Sequence, residues 1–581
     1  MQRIMKMRLS FVFLFAFRLS AAVDIFVDRQ GHDYNPGSAG KPVKGIKRAQ
    51  ELVRELIASA KDDITVHLGP GTWEIDEPIM FNNEDSGING FKVTWAGSET
   101  AISGGYEISN WTEGDDGIWA NQLIGYDQIA EPFWDGGVWI QNVKALLTDG
   151  GQFYLDRNES TVYYKPLEGE NMATASACLG VEEVLLVVGG TYEEPVHDLH
   201  FEGITFKHST WLRPDTYGGT GVGNDKNAHS TGVGLGANNI DIDDNYFTQA
   251  MGNSITVGGI QADAHHPSQP KMPVSDIHAS NNIFNNNSVL WSSTVPILFT
   301  YTQFSSVTHN DIYNQPYSGI CHGYGGGSND EGGSPEYVKR GLYEYQPLYD
   351  TPTVTKNNLI EGNLIHHFGQ SHTDFGGVYT LSRSPNTTVS FNFIYDAGWQ
   401  ALYPDEAPRN ITSYNNLGFT SGKYYAPNDW IPEQLTGWST VIDNWGKLGV
   451  KDNKVLDGFP NHSGRRNNTF LRNYLAPDIN GTSLIAQRAA YRAGVIPSKR
   501  KGRSVTNDAD IANAYLDVKV SDGRVVVNVT NFDDVLSVSQ ALVSRSKESL
   551  PLAQSRLMVL QQRCILSLAP QRRTPPLKSA M

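Results

Sequence analysis

Ile242-x-x-Asn245-x-Phe247, Ala279-x-x-Asn282-x-Phe284, Val307-x-x-Asn310-x-Ile312, Ile360-x-x-Asn363-x-Ile365 and Val389-x-x-Asn392-x-Ile394 repeat one phrase, and Thr412-x-x-Asn415-x-Leu417 repeats it more loosely. Each runs apolar residue, two spacers, Asn, one spacer, apolar residue. The Asn-to-Asn steps are 37 (245 to 282), 28 (282 to 310), 53 (310 to 363), 29 (363 to 392) and 23 (392 to 415). A fixed phrase at a variable step fits one coil of short parallel strands per repeat, with the extra residues extruded as loops. Apolar residues two apart suit a strand with alternate side chains pointing inward. Asn suits a corner, because its short amide tolerates left-handed backbone angles and bonds neighbouring main chain. Stacked corners predict an asparagine ladder, and Gly (57) and Pro (28) are too frequent for helical repeats. The expected fold is all-β, a right-handed parallel β-helix.

Outward from the repeat, an amphipathic helix is expected from about Val43 to Ala60, where Ile46, Ala49, Leu52, Val53, Leu56 and Ile57 recur at helical spacing. It would cap the open end of the solenoid. The expected organisation is a leader at 1–22, cap and first coils at 23–110, and a small β insertion at 111–195. The main β-helix follows at 196–430, then a C-terminal region at 431–536 with a helix near Ser483 to Ala493 and a hairpin around Leu516 to Val529. The composition changes again beyond 536, and 537–581 is expected to be a divergent, disordered tail.

A net charge of −16 over 581 residues disfavours nucleic acid and anionic membranes as partners. Hydrophobic residues at 39% are ample for a core. Arg3, Lys6 and Arg8, the apolar run Leu9 to Phe17 and Ser20-Ala21-Ala22 have the layout of a secretory leader, with Arg18 as an interruption. Asn-x-Ser/Thr sequons at Asn110, Asn158, Asn286, Asn386, Asn410, Asn461, Asn467, Asn480 and Asn528 fit a secreted glycoprotein. Three cysteines, Cys178, Cys321 and Cys564, give no disulfide framework, and Cys321 is expected to be a buried structural thiol.

Two consecutive coils carry carboxylates suited to chemistry: Asp374 in His372-Thr373-Asp374-Phe375-Gly376-Gly377, and Asp405 in Leu402-Tyr403-Pro404-Asp405-Glu406. Strand spacing of about 4.8 Å lets acids on neighbouring coils stand ~5–9 Å apart, the range glycoside hydrolysis needs. One acid protonates the leaving oxygen while the other stays ionised as nucleophile or base. Glu406 competes for the second role, with Glu361 and Asp396 behind it. His322, Tyr324, His372, Tyr379, Trp399 and Tyr403 are the candidate sugar contacts, and Tyr317 is a further platform. His366 and His367 are adjacent on a strand and expected on opposite faces, so no metal site or cofactor is expected. Asp374-Phe375-Gly376 and Gly325-Gly326-Gly327 lack the partners that kinase or phosphate-loop chemistry requires.

At these residues the chain resembles a known family. Asn310 to Ile320, Asp374 to Leu381 and Leu402 to Glu406 resemble β-helix proteins of glycoside hydrolase family 141 and its relatives, and Asp28 to Ile57, Thr94 to Gly97, Phe153 to Arg157 and Tyr163 to Pro166 also fit. The likeness covers roughly Asp24 to Ala426. It implies a pectin-lyase-like solenoid, fucosidase- or xylanase-like activity on cell-wall polysaccharide, and paired catalytic aspartates that carry over to Asp374 and Asp405. A monomer with a carbohydrate substrate is expected.

Two rivals stay open at this point. A polysaccharide lyase would need a basic proton abstractor, yet Lys and Arg near the site are limited to Arg383, Arg409 and Lys423. A polygalacturonase-like arrangement of Asp241, Asp243 and Asp244 lacks that group's accompanying motifs. The other rival is a carbohydrate-binding β-helix without catalysis.

Overall fold

The structure is a computed structural model. It describes residues 23–122, 143–210, 229–325, 329, 349–425, 436–456, 467–496 and 515–530, with gaps at 157, 192, 234–235, 261, 270–272, 289–291, 423, 448, 452–453 and 522–523. The leader-like 1–22 and the tail at 537–581 lie outside them.

The chain winds as a parallel β-helix. A 22-stranded sheet and an eight-stranded sheet carry the coils, and strands pair with their counterparts one coil on. Each regular coil has three strands, as in Leu359–Glu361, Leu364–Phe368 and Gly376–Thr380, followed by Arg383–Ser390, Phe393–Ala397 and Gln400–Pro404. The first two strands of each coil lie in the larger sheet on either side of the asparagine, and the third lies in the eight-stranded sheet. We call these positions the first, second and third faces.

The ladder forms, with one change of register. Its rungs are Asn245, Asn282, Asn310, Asn363, Asn392, Asn416, Asn444 and Asn473, so Asn416 and not Asn415 is the sixth. Each amide Nδ2 up to that of Asn444 donates to the next rung's Oδ1 at 2.9–3.1 Å. Each also donates to a carbonyl one coil back, such as Val307 from Asn363. The rung's own backbone N–H donates to the same neighbouring Oδ1. Rungs from Asn245 to Asn444 are wholly buried, a position a polar amide occupies only when its bonds are made.

The left-handed residue is the one before each rung: Asp244, Asn281, His309, Gly362, Phe391, Asn415, Asp443 and Arg472 all have φ between 47° and 66°. Asn415 supplies the backbone turn that was expected of the rung itself. The coils also continue past the expected end at 430, through Thr440–Ile442 and Trp445–Lys447 to Thr469–Leu471 and Tyr474–Ala476. Gly418 and Gly446 stand there where the phrase calls for an apolar side chain. A Cβ on either would meet Tyr424 at 2.5 or 2.7 Å, so one buried tyrosine fills the space of two side chains.

Apolar residues flanking the rungs stack across coils. Phe206, Phe247 and Phe284 lie with centroids 5.0 and 4.8 Å apart, each burying a side chain worth roughly 1.5–3 kcal/mol. The capping helix spans Ile46–Ile57, shorter than expected because Val43 bridges to Val27 in extended form and Gly45 is extended at the N-cap. Arg54 on that helix grips the buried Asp85 with two 2.9 Å bonds. Thr112–Glu113, Trp119–Gln122, Gln152–Asp156 and Thr161–Lys165 form a small antiparallel sheet with its own core of Trp111, Leu155, Val162, Tyr164 and Met172, and Leu186–Val188 rejoins the third face. The helix Leu484–Arg492 is capped by Ser483, and its Ala486 and Ala490 pack on Leu417 of the second face. A separate antiparallel pair joins Tyr515–Ser521 to Arg524–Thr530.

Candidate active site

The third face runs all-buried in its two last strands, Gly376–Thr380 and Gln400–Pro404, so alternation along the sequence does not reveal which residues face outward. Their register pairs Tyr379 with Tyr403. The two rings stack with centroids 4.9 Å apart and planes inclined by 22°.

The two aspartates sit at opposite ends of this strand pair. Asp374 lies in the turn leading into Gly376–Thr380, with φ 64°, and is exposed. Asp405 follows Gln400–Pro404 and is 4 % exposed, its N–H bonded to the Thr380 carbonyl at 3.0 Å. They are thus not equivalent positions on successive coils, as expected, but the tyrosines bring them together crosswise. Tyr403 Oη donates to Asp374 Oδ1 at 2.7 Å, and Tyr379 Oη donates to Asp405 Oδ2 at 2.5 Å. Each aspartate is therefore held by the tyrosine of the other coil. The two carboxylates thus share one stacked tyrosine pair, and the charge of each reaches the Tyr317 phenol.

Tyr317, on the preceding coil, completes the cluster by donating to the Asp374 carbonyl at 2.8 Å and contacting Tyr379. Burial, with the nearby carboxylates behind it, pushes the Tyr317, Tyr379 and Tyr403 phenols well above their ordinary range. At neutral pH all three are hydrogen-bond donors, not bases. His372 is half-buried, bonds Ser292 Oγ at 2.7 Å and meets Tyr317 edge-on at 5.9 Å. Burial lowers its affinity for a proton. Glu406, left-handed at φ 52°, stands beside Asp405, and its charge reaches Tyr379.

Other candidates lie elsewhere. His322 points into the solenoid, 2 % exposed, with Nε2 3.1 Å from Ser384 Oγ, and burial lowers its pKa to about 4. Tyr324 packs with Ile260 and Tyr301 in a separate cluster, and its carbonyl accepts from Tyr301. Trp399 is half-buried against the main core. Glu361 accepts from Ser390 on the first face, and Asp396 pairs with His367 on the second. His366 and His367 do not diverge: His367 has φ 51°, which breaks the strand alternation and brings their Nδ1 atoms to 2.6 Å. His366 is sandwiched between Tyr313 and Tyr395. Cys321 is buried in the core, where burial raises its thiol pKa.

The tyrosine latch was the part of the cluster that sequence reasoning missed. Its signal is the equal distance of Tyr379 and Tyr403 from their rungs, Asn363 and Asn392, less the five residues by which the turn bearing Asp374 is longer.

No protein-family model matches the sequence, and no curated protein matches it. Among solved structures, one described as "Glycoside hydrolase" is similar with a TM-score of 0.59 at 19% identity, covering 82% of this chain and 100% of that one. A "Rhamnogalacturonan lyase" gives 0.45 at 11%, covering 84% and 98%, and "The complex structure of XylC with xylose" gives 0.43 at 12%, covering 78% and 83%. The first of these likenesses, together with the coil geometry, shows a parallel β-helix.

Proposed function

We propose that the protein is a secreted glycoside hydrolase acting on cell-wall polysaccharide, with Asp374 and Asp405 as its catalytic pair. The observation that carries the reading is the crosswise latch, in which one exposed and one buried carboxylate are held across adjacent coils by stacked tyrosines. Two carboxylates in unlike surroundings suit the division of labour between proton donor and nucleophile or base. The phenols hold the carboxylates in orientation and leave their oxygens to accept from sugar hydroxyls, and His372 stands at the margin as a further sugar contact. The glycoside hydrolase among the similar folds supports the carbohydrate assignment, and the leader-like residues 1–22 support secretion. Fucosidase- or xylanase-like specificity is the starting point for the substrate.

The test is turnover of a glycoside panel that includes fucosides and xylans by wild type, Asp374→Asn and Asp405→Asn, with product anomers followed by NMR. Loss of activity in both variants, with azide rescuing one of them, supports the pair and assigns the nucleophile of a retaining enzyme. Full activity in either variant removes that residue from the mechanism. Unsaturated, ultraviolet-absorbing product would assign a lyase, and saturable binding with no released sugar would assign a binding protein.

A further inference from the structure

A second polar constellation lies on the first face, away from the tyrosine latch. His200 and Glu202 alternate along Val196–Lys207 and so share one side of the strand. The register sets His200 opposite Asp241 and Glu202 opposite Asp243 on Ala237–Asp243. Two carboxylates directly opposed on neighbouring strands repel one another. The nearby Lys92 pairs with Asp241 at 2.6 Å instead.

The remaining three side chains converge. One ligand atom from each of His200, Glu202 and Asp243 lies within 4.8 Å of the other two; His200 and Glu202 are half-buried and Asp243 is buried. His200 Nε2 stands 3.8 Å from Glu202 Oε2, too far for a hydrogen bond, and this buried nitrogen has no hydrogen-bond partner among the described residues. Asp243 Oδ1 accepts from Ser280 Oγ at 2.7 Å and Asn281 Nδ2 at 2.8 Å, and these donors fix the orientation of the carboxylate. Atoms that bind one ion at about 2.0–2.2 Å stand roughly 3–4.5 Å apart, so small side-chain rotations would complete a three-ligand site.

We propose that His200, Glu202 and Asp243 bind a divalent transition-metal ion, of which zinc is the type, with water filling the remaining positions. The imidazole nitrogen selects against calcium and magnesium, which take oxygen ligands. The ion would offset the opposed carboxylates and clip two adjacent coils together, which makes the site structural and separate from the latch.

The experiment is calorimetric titration of the untagged full chain with Zn2+, alongside Ca2+, and cobalt substitution followed by visible d–d absorption. The expected result is one zinc per chain, binding more tightly than calcium, and a cobalt spectrum with nitrogen and oxygen ligands. His200→Gln and Asp243→Asn should each weaken zinc at least tenfold, with circular dichroism confirming the fold, and Glu202→Gln gives a third arm should either fail to fold. No saturable zinc binding, calcium binding as tight as zinc, or unchanged affinity in the folded variants would overturn the proposal.

Discussion

The asparagine corner and the third face both pass polar contacts from coil to coil, and they do so in opposite ways. At the corner every link is the same: one buried amide, one bond to the next amide, one to a carbonyl behind it. On the third face the contact is confined to one pair of coils, is made of unlike groups, and ends at one exposed and one buried carboxylate. A fully satisfied repeat stabilises the fold, because breaking it strands buried donors. A pair of crossings confined to two coils adds less to stability than the whole ladder and orients two acids. Substitutions at the two regions should therefore separate folding from activity.

The largest expected effect is catalytic. Asp405→Asn should lower kcat/KM by about 10²–10⁴-fold, the usual share of a general acid or base, while the melting temperature moves little. Next comes the ladder. Asn363→Ala removes the bonds to Val307 and Asn392 and deprives Asn310 of its acceptor, costing roughly 2–4 kcal/mol by denaturant unfolding.

Acid should act on the fold through buried histidines. His322 and His208, each lowered to about 4 by burial, stay neutral in the folded state. The unfolded chain binds their protons below about pH 6.5, so their contribution is complete above that pH. It is lost as pH falls towards 4, by up to about 3 kcal/mol for each. His322→Gln should flatten part of that slope in a series of unfolding curves.

Smaller effects sharpen the comparison further. Tyr403→Phe removes one bond to an exposed carboxylate and should cost about 1 kcal/mol or less in stability, but lower kcat by at least tenfold through misorientation of Asp374. The smallest concerns register: Asn415→Gly should stay within about 0.5 kcal/mol of wild type, because glycine accepts the left-handed angle. Asn416→Ala, by contrast, should behave like Asn363→Ala.

These residues also mark where sequence reading reached its limit. The solenoid was legible because its phrase joins a buried amide to apolar residues in fixed register, a pattern with few other physical uses. It slipped at Asn415-Asn416, where two asparagines adjoin and Gly418 occupies the apolar position. The coils beyond 430 were hidden in part for the same reason, since Gly446 leaves room for Tyr424, a residue remote in sequence. At the site, Asp374 and Asp405 were legible as carboxylates on neighbouring coils. Their opposite placement, the inward turn of His322 and the bonding of Tyr379 and Tyr403 to the aspartates were not, because strands with every residue buried carry no alternation to read. The pairing of His366 with His367 depends on one left-handed residue inside a strand.

The central claim is that Asp374 and Asp405 act as one unit, and the kcat/KM of the Asp374→Asn/Asp405→Asn double variant tests it most directly against the two single variants. Groups that share one reaction lose little more together than apart, so the double variant should fall within about tenfold of the weaker single one. Losses that multiply as independent factors would contradict the account, as would a single variant with wild-type turnover.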